Sequence, residues 1–201
     1  MNTLTTRCFL VLVCLPFFLV GCQQTAVQQE TYAPATTQQP TMEDYCAEHA
    51  CRGETHIELA TIDGGYQHKS SYYWPVVKDN SEIRVLAGER VFIEVLFDEF
   101  GSPKEFIHVN EIQHPTRTFE FNFRQVAGNY GMLATLRNPL NQPVIFSVTL
   151  VDVDGKTRTA GTCPIRPNRS FMDQWAFPAT ELVLSNLQVL HPSSPIVCTG
   201  S

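Results

Sequence analysis

The chain has 201 residues, of which 43% are hydrophobic, and its 20 acidic and 14 basic side chains give a formal net charge of −6. Nucleic acids and anionic lipid headgroups attract patches of Lys and Arg, so this acidic balance argues against both as the main partner. The length is sufficient for one hydrophobic core, and we expect a single globular domain over residues 44–201.

Residues 1–21 carry the parts of a secretory signal. Arg7 stands near the start, an apolar run covers residues 8–20, and the small residue Gly21 follows. The run is shorter than the roughly 20 apolar residues that a membrane-spanning helix requires. Two alternatives to the lipoprotein signal described next are an ordinary secretory signal and an N-terminal membrane helix.

The stretch Leu19-Val20-Gly21-Cys22 resembles the lipobox of bacterial lipoproteins. The resemblance implies that the signal is cleaved before Cys22 and that this cysteine is lipidated, so that an N-terminal lipid attaches the protein to a membrane. In Gram-negative lipoproteins, Asp after the lipidated cysteine is the usual signal for retention in the inner membrane, and Gln23 occupies that position here. The resemblance therefore implies an outer-membrane lipoprotein that faces the periplasm.

Residues 22–43 follow the signal as the lipidated cysteine and a segment rich in Gln, Thr, Ala and Pro. Such a composition cannot bury enough apolar surface to order itself. We therefore expect a flexible tether, and about 20 residues of flexible chain span about 25 Å on average. The tether would hold the domain close to the membrane surface.

Four cysteines remain once the signal and Cys22 are set aside. An even number of cysteines in an oxidising compartment predicts two disulfides. We favour a local bridge between Cys46 and Cys51 and a second bridge between Cys163 and Cys198. The alternative pairs one N-terminal cysteine with Cys163. A zinc site at Cys46 and Cys51 is less favoured, because no second pair with metal-ligand spacing follows.

From residue 55 onward the hydrophobic pattern has a period of two, which indicates strands with one buried face. Phe119, Phe121 and Phe123, for example, alternate with polar residues, and Asp154-Gly155 is a hairpin signal. A break in the alternation at Ser185-Asn186 predicts a bulge. The predicted strands cover residues 56–62, 82–86, 91–97, 106–112, 119–124, 131–137, 144–151, 156–163 and 181–190.

Short strands at near-regular spacing predict an all-β, mostly antiparallel β-sandwich that is stabilised by disulfides. Little helix is expected beyond short turns near 42–50 and 170–175. Residues 137–144, Arg-Asn-Pro-Leu-Asn-Gln-Pro-Val, resemble the turn between strands in Ig-like or transthyretin-like envelope domains. That resemblance implies an Ig-like sandwich, although the Cys…Trp…Cys pattern of immunoglobulin domains is not matched.

Aromatic side chains provide the candidate interaction surface. Tyr72, Tyr73 and Trp74 are adjacent in a stretch bordered by Ser, Gly and Lys, and Trp175 lies in a second aromatic segment, residues 171–178. Exposed aromatic patches serve as protein interfaces and sugar-binding surfaces. The alternative is that the first cluster forms a buried corner of the core.

Catalytic and metal-binding patterns are weak. Six histidines are potential copper or zinc ligands. The chain contains no His-x-His pair, so we interpret them as solvated or hydrogen-bonded side chains and expect no metal and no cofactor. Neither Gly-x-Ser-x-Gly nor another set of acid, base and nucleophile is recognisable, and we do not expect an enzyme.

We therefore expect a non-catalytic, lipid-anchored protein-interaction or assembly module, with an envelope protein as its partner. The alternative is a periplasmic inhibitor or a ligand-binding lipoprotein that takes a sugar or a metal. An inhibitor would use a protruding loop, and residues 98–103 are the candidate for it.

Overall fold

A computed structural model describes residues 41–48, 51–71, 74–79 and 81–200. The signal, Cys22 and most of the expected tether lie outside these described residues. Within the described ranges, no helix has the length and apolar character needed to span a bilayer.

The described residues form a short helix and fourteen strands. In chain order, these elements are α1 Met42–Glu48, β1 Cys51–Arg52, β2 Thr55–Ala60, β3 Tyr66–Ser71, β4 Trp74–Pro75, β5 Val77–Lys78, β6 Glu82–Leu86, β7 Glu89–Phe97, β8 Pro103–Val109, β9 Thr118–Gln125, β10 Met132–Arg137, β11 Val144–Val151, β12 Thr157–Ala160, β13 Ser170–Trp175 and β14 Glu181–Val189.

Ten of these strands form two five-stranded sheets that pack against each other. The strand order is β13-β10-β9-β7-β8 in the first sheet and β12-β11-β14-β6-β5 in the second. The other strands form the two-stranded ribbons β1–β4 and β2–β3. Every pairing among the described strands is antiparallel. The predicted all-β, mostly antiparallel sandwich is confirmed.

Aromatic side chains join the two sheets in the core. Phe119, Phe121 and Phe123 point inward from β9 and are at most 1% exposed, as their alternation predicts. Phe146 on β11 packs edge-on against Phe119 and Phe121, with ring centroids 5.8 and 5.7 Å apart. Full burial of one such side chain stabilises the fold by up to about 3 kcal/mol. This cluster fixes the face on which each sheet packs.

A bulge interrupts the pairing of β11 with β14. Ile145 lies opposite Gln188, but Ser147 lies opposite Ser185, so β14 carries one extra residue in this interval. Asn186, inside the bulge, has a φ of 52°, a left-handed conformation that Asn tolerates better than most residues. The bulge predicted at Ser185-Asn186 is confirmed.

The N-terminal segment is fastened to the domain. Thr41 caps α1, since its hydroxyl accepts from the Asp44 amide at 3.2 Å and its own amide donates to the Asp44 carboxylate at 2.9 Å. A disulfide joins Cys46 to Cys51. The Tyr45 hydroxyl donates to a backbone carbonyl of β5 at 3.3 Å. The helix is therefore held at the β5 edge of the second sheet.

The C-terminal tail is fastened at the opposite edge of the same sheet. A disulfide joins Cys163 to Cys198, so both bridges follow the pairing favoured from the sequence. Thr162 and Thr199 exchange two backbone hydrogen bonds of 3.0 and 2.7 Å. Gly161 lies so close to the tail that an added Cβ would overlap the backbone there. Glycine is therefore required at this position.

A fully buried asparagine organises the loop between β10 and β11. The side-chain amide of Asn138 donates to the carbonyls of Gln142, Ile165 and Arg166 at 2.8 to 3.2 Å, and its oxygen accepts from the Leu140 amide at 2.9 Å. Buried polar groups are stabilising only when they are paired in this way. Asn138 thus connects its own loop to the segment before β13.

Several elements differ from the sequence predictions. The two-residue strands β1, β4 and β5 were not predicted, β8 lies three residues earlier than the predicted strand 106–112, and β13 and β3 differ in type. Residues 170–175, expected as a helical turn, form strand β13, which pairs with β10 over six residues. Residues 66–71 form β3, although their sequence, Tyr-Gln-His-Lys-Ser-Ser, is too polar to indicate a strand. β3 pairs only with β2, so a single neighbour is enough to order it. The errors at β13 and β3 have the same cause, since edge and ribbon strands lack a strongly apolar face.

Candidate interaction site

Part of the predicted aromatic surface is core. Trp74 is only 6% exposed, and its indole nitrogen donates to the buried carboxylate of Glu181 at 3.2 Å. The ammonium of Lys69 lies 5.3 Å from the centre of its ring. The expectation that Trp74 belongs to an interaction surface is therefore wrong. Tyr72 and Tyr73 lie outside the described residues.

Trp175 occupies a different position, at the end of β13 on one edge of the first sheet. Its ring is partly buried against Phe123, with centroids 6.5 Å apart. The residue opposite Trp175 in β10 is Met132, which is completely buried. Trp175 thus extends the core to the rim of the sandwich, where one side of it remains accessible.

The free side of β13 is the main feature of this rim. β13 pairs with β10 and is the last strand of its sheet. Ser170, Met172 and Gln174 are exposed, and Met172 is 68% accessible. The alternate positions of β13 face inward and are partly buried; they are Phe171, Asp173 and Trp175. A strand in this position presents unpaired backbone N–H and C=O groups along its outer side.

The other edges of the two large sheets are protected by familiar means. β8 begins with Pro103, Lys104 and Glu105, and its register with β7 is interrupted. β5 has only two residues, and β12 has four, of which one is Arg158. Proline, charge, irregularity and shortness all discourage further strand pairing. β13 has six residues and one charge, Asp173, so it is the least protected of these four edges.

A groove of about 490 Å³ separates β13 from β12, the edge strand of the other sheet. Trp175, Phe177 and Leu150 supply its apolar surface, and the Cys163–Cys198 bridge contributes to its wall. The guanidinium of Arg158 lies 4.3 Å from the centre of the Phe177 ring. Among the described residues, Asp173 has no ion-pair partner, and its carboxylate accepts only the neighbouring backbone amide, at 2.8 Å.

The histidines in the described residues are dispersed. His56 is bonded to the Ser70 hydroxyl at 2.7 Å and His191 to the Ser193 hydroxyl at 2.7 Å. No three His, Cys, Asp or Glu side chains lie together as metal ligands in the ranges that the structure describes. The arrangement offers no donor set to which a metal can be assigned.

A polar cluster that the sequence did not indicate lies at the far end of the first sheet. Glu94 is 7% exposed in β7. It accepts from the His114 Nδ1 atom at 2.7 Å and from Arg117 at 2.6 Å. The hydrogen bond from His114, together with the Arg117 guanidinium, lowers the pKa of the Glu94 carboxyl. The cluster connects β7 to the segment before β9, and its members are too far apart in sequence to form a motif.

The loop considered as an inhibitory protrusion is a tight hairpin. The Asp98 carboxylate accepts from the amides of Phe100 and Ser102 at 2.9 and 2.8 Å, and Gly101 takes a φ of 79°. Phe100 stands at the tip with 84% of its surface exposed. The turn is short and hydrogen-bonded within itself, and the apolar side chain of Phe100 projects from it.

No protein-family model matches the chain, and comparisons with curated proteins and with solved structures likewise gave no match.

Proposed function

We propose that the protein is a non-catalytic, lipid-anchored module of the bacterial envelope that binds a partner protein by strand addition at β13. In strand addition, an extended segment of the partner joins a sheet edge, with backbone hydrogen bonds providing affinity and side-chain pockets providing specificity. The observation that carries the proposal is the contrast among the four edges, because only β13 combines useful length with little charge.

The groove beside β13 indicates which partner segment fits. Alternate side chains of an added strand would point into the groove, where Trp175 and Phe177 favour apolar residues. Asp173 faces the same side without an ion-pair partner among the described residues. A Lys or Arg of the partner would therefore be favoured opposite Asp173, since complementary charges across an interface select the partner and its register. The partner is an extended strand with alternating apolar residues and one basic side chain.

The proposed lipid anchor would place the β13 binding site at a membrane surface. The Leu19-Val20-Gly21-Cys22 sequence supports lipidation of Cys22, and attachment to the outer membrane confines the domain to one surface. Tethering raises the effective concentration of a binding site for a partner in the same membrane. Modest affinity at β13 is then sufficient for assembly.

Site-specific cross-linking in the native envelope tests the proposal. A photoreactive amino acid replaces Gln174, which is exposed on β13, and the matched control replaces Glu105, which is exposed on the opposite edge strand β8. We expect one dominant protein adduct from position 174 and none from position 105. Equal labelling from both positions would contradict an edge-specific partner.

Hydrogen exchange with the identified partner then distinguishes strand addition from side-chain contact. Strand addition protects backbone amides within residues 170–175, because the added strand accepts their hydrogen bonds. Met172→Lys places an ammonium on the edge and should abolish this protection. Binding that leaves the exchange of the β13 amides unchanged would reject strand addition.

A further inference from the structure

A second cleft lies at the end of the sandwich where β2–β3 and β9–β10 make their turns. Residues 60–66, except Asp63, form one border and residues 125–130 form the other, and the space between them is about 500 Å³. This volume lies within the range of about 300–1,000 Å³ that is typical of small-molecule sites. The cleft shares no lining residue with the groove beside β13.

The side chain of Gln125 connects the two borders of the cleft through hydrogen bonds to backbone groups. The amide group of Gln125 accepts from the Ala60 N–H at 2.9 Å and donates to the carbonyls of Ala60 and Tyr130, each at 3.0 Å. Both turns contain a glycine with positive φ, Gly64 at 80° and Gly128 at 71°. The two borders are therefore fixed relative to each other before any ligand arrives, which reduces the entropic cost of binding.

The walls of the cleft are aromatic and aliphatic. Tyr66 is 64% exposed and Ile62 is 75% exposed, so two large apolar side chains stand in solvent on the same turn. Tyr130 contributes a second phenol ring from the opposite border. Exposed aromatic rings are costly to maintain and are characteristic of binding surfaces.

The polar groups of the cleft are neutral and partly unpaired. None of the residues that line the cleft is charged, in a protein with 20 acidic and 14 basic side chains. Asp63 belongs to the same turn but is not part of the lining, and its carboxylate accepts from the Thr61 hydroxyl and the Gly65 amide within that turn. The Asn129 side-chain oxygen accepts from the Gly131 amide at 3.0 Å, whereas its NH₂ group has no hydrogen-bond partner among the described residues. The hydroxyls of Tyr66 and Tyr130 are likewise unpaired within the described part of the chain. These groups are available to a ligand.

We propose that this cleft binds a neutral carbohydrate. The faces of pyranose rings carry C–H groups that pack on the rings of tyrosines, while their hydroxyls exchange hydrogen bonds with amide and phenol groups. An uncharged ligand matches a lining without charge, because no ion has to be desolvated without a partner. The inference is independent of strand addition at β13, and neither depends on the other.

Titration of the ¹⁵N-labelled domain with three neutral hexasaccharides tests the inference. The probes are α-1,4-linked glucose, β-1,4-linked glucose and β-1,4-linked N-acetylglucosamine. With at least one probe, we expect saturable shifts of the amide resonances confined to residues 60–66 and 125–131. The apparent affinity should not change with salt concentration, since the interaction involves no charge.

Variants of the lining residues should weaken saccharide binding by a measurable factor. Tyr66→Ala and Tyr130→Ala should each weaken binding about tenfold, which corresponds to the loss of one aromatic stacking contact. Asn129→Asp keeps the oxygen that receives the Gly131 amide but removes the NH₂ donors, and should also weaken binding. Phe100→Ala removes an even more exposed ring at the other end of the sandwich and should have no effect.

Three results would overturn the inference. They are the absence of saturable shifts with all three saccharides, shifts centred outside the two turns, and equal affinity of the tyrosine variants and the parent protein. An uncharged Gln/Thr/Ala peptide is tested as a ligand of another class. If this peptide binds saturably at the two turns and the saccharides do not bind, the cleft is a peptide site. Melting temperatures of the variants show that each one is folded.

Discussion

Arg52 binds both carboxylate oxygens of Glu89, Nε to Oε1 and Nη2 to Oε2, each at 2.6 Å. The same guanidinium donates to the backbone carbonyls of Trp74, Pro75 and Arg84. Its side chain is only 9% exposed. Arg52 directly follows the Cys46–Cys51 disulfide, so this charged pair joins the segment after α1 to β7.

Replacement of Arg52 tests the importance of this pair. Arg52→Ala leaves Glu89 and several carbonyls without their donor, and we expect the free energy of unfolding to fall by about 3 kcal/mol. Arg90→Ala is the matched control, since Arg90 is 57% exposed and pairs with Glu120 at the surface. The control should cost less than about 1 kcal/mol. Urea denaturation measures the free energy of unfolding of both variants. Equal losses would show that the buried Arg52–Glu89 pair stabilises the fold no more than a surface pair does.

Asn138→Asp replaces an amide donor with a group of the same shape. Three backbone carbonyls lose their donor, while the Leu140 amide keeps its acceptor, so we expect a loss of about 3 kcal/mol or more. Asn141→Asp makes the same chemical change at an exposed position of the same loop. It should change the free energy of unfolding by less than about 0.5 kcal/mol. A loss shared by both variants would point to the added charge instead of the buried network.

Strands with one strongly apolar face could be predicted from the sequence, because burial imposes a period of two on them. β6 and β11 begin and end at the predicted residues. β13 was not predictable in this way, because Phe171 and Trp175 are four residues apart and fit a helical turn as well as a strand. Its pairing with β10 decides the conformation, and that contact is not local.

The candidate site was predictable only in part, for a similar reason. Trp175 does lie at an accessible edge. Trp74, in contrast, is buried, and its indole donates a hydrogen bond to Glu181, a residue 107 positions away. No pattern near residue 74 could have indicated that partner. The pairing of the four cysteines was easier to predict, because four cysteines allow only three pairings.

Removal of the two disulfides should have unequal effects. The Cys163–Cys198 bridge has a sequence separation of 35 and the Cys46–Cys51 bridge one of 5. In the chain-entropy model, loops of these lengths correspond to about 4 and about 2 kcal/mol of stabilisation. Double Cys→Ala variants of each bridge, compared by urea denaturation, measure the difference. The reverse order would show that native contacts, and not loop length, determine the effect.

His108 should make stability depend on pH. Burial, with a further contribution from Arg52, lowers the pKa of His108 from 6.5, although Glu89 opposes the shift. Below pH 6.5 the unfolded chain therefore binds a proton that the folded protein does not, so the free energy of unfolding falls as pH falls from 6.5 toward the native pKa.

Thermal denaturation between pH 7 and pH 5 measures this slope. His108→Gln should reduce it, because the titrating group is gone. His68→Gln removes an exposed imidazole from β3 and is the matched control. An unchanged slope in His108→Gln would assign the pH dependence to other groups.

Cys22→Ser tests the proposed anchor. Without the thiol there is no site for lipidation, and we expect the protein to move from the membrane fraction to the soluble fraction of the cell. Cys46→Ser, which leaves Cys22 intact, controls for the loss of a cysteine and should remain in the membrane fraction. Retention of Cys22→Ser in the membrane would reject the lipobox interpretation.

α1 is fastened at the β5 edge of the second sheet, so the β12 edge is the side of that sheet farthest from α1. β5 and β12 are the first and last strands of the second sheet, and four spacings of about 4.8 Å place them about 19 Å apart. With the proposed anchor at the α1 end and the proposed partner at the β12–β13 rim, a load on the protein would run across the strands of this sheet. The bridge from Cys163 to Cys198 lies at the rim where that load would enter, and covalent closure there would keep the β12 edge intact under tension.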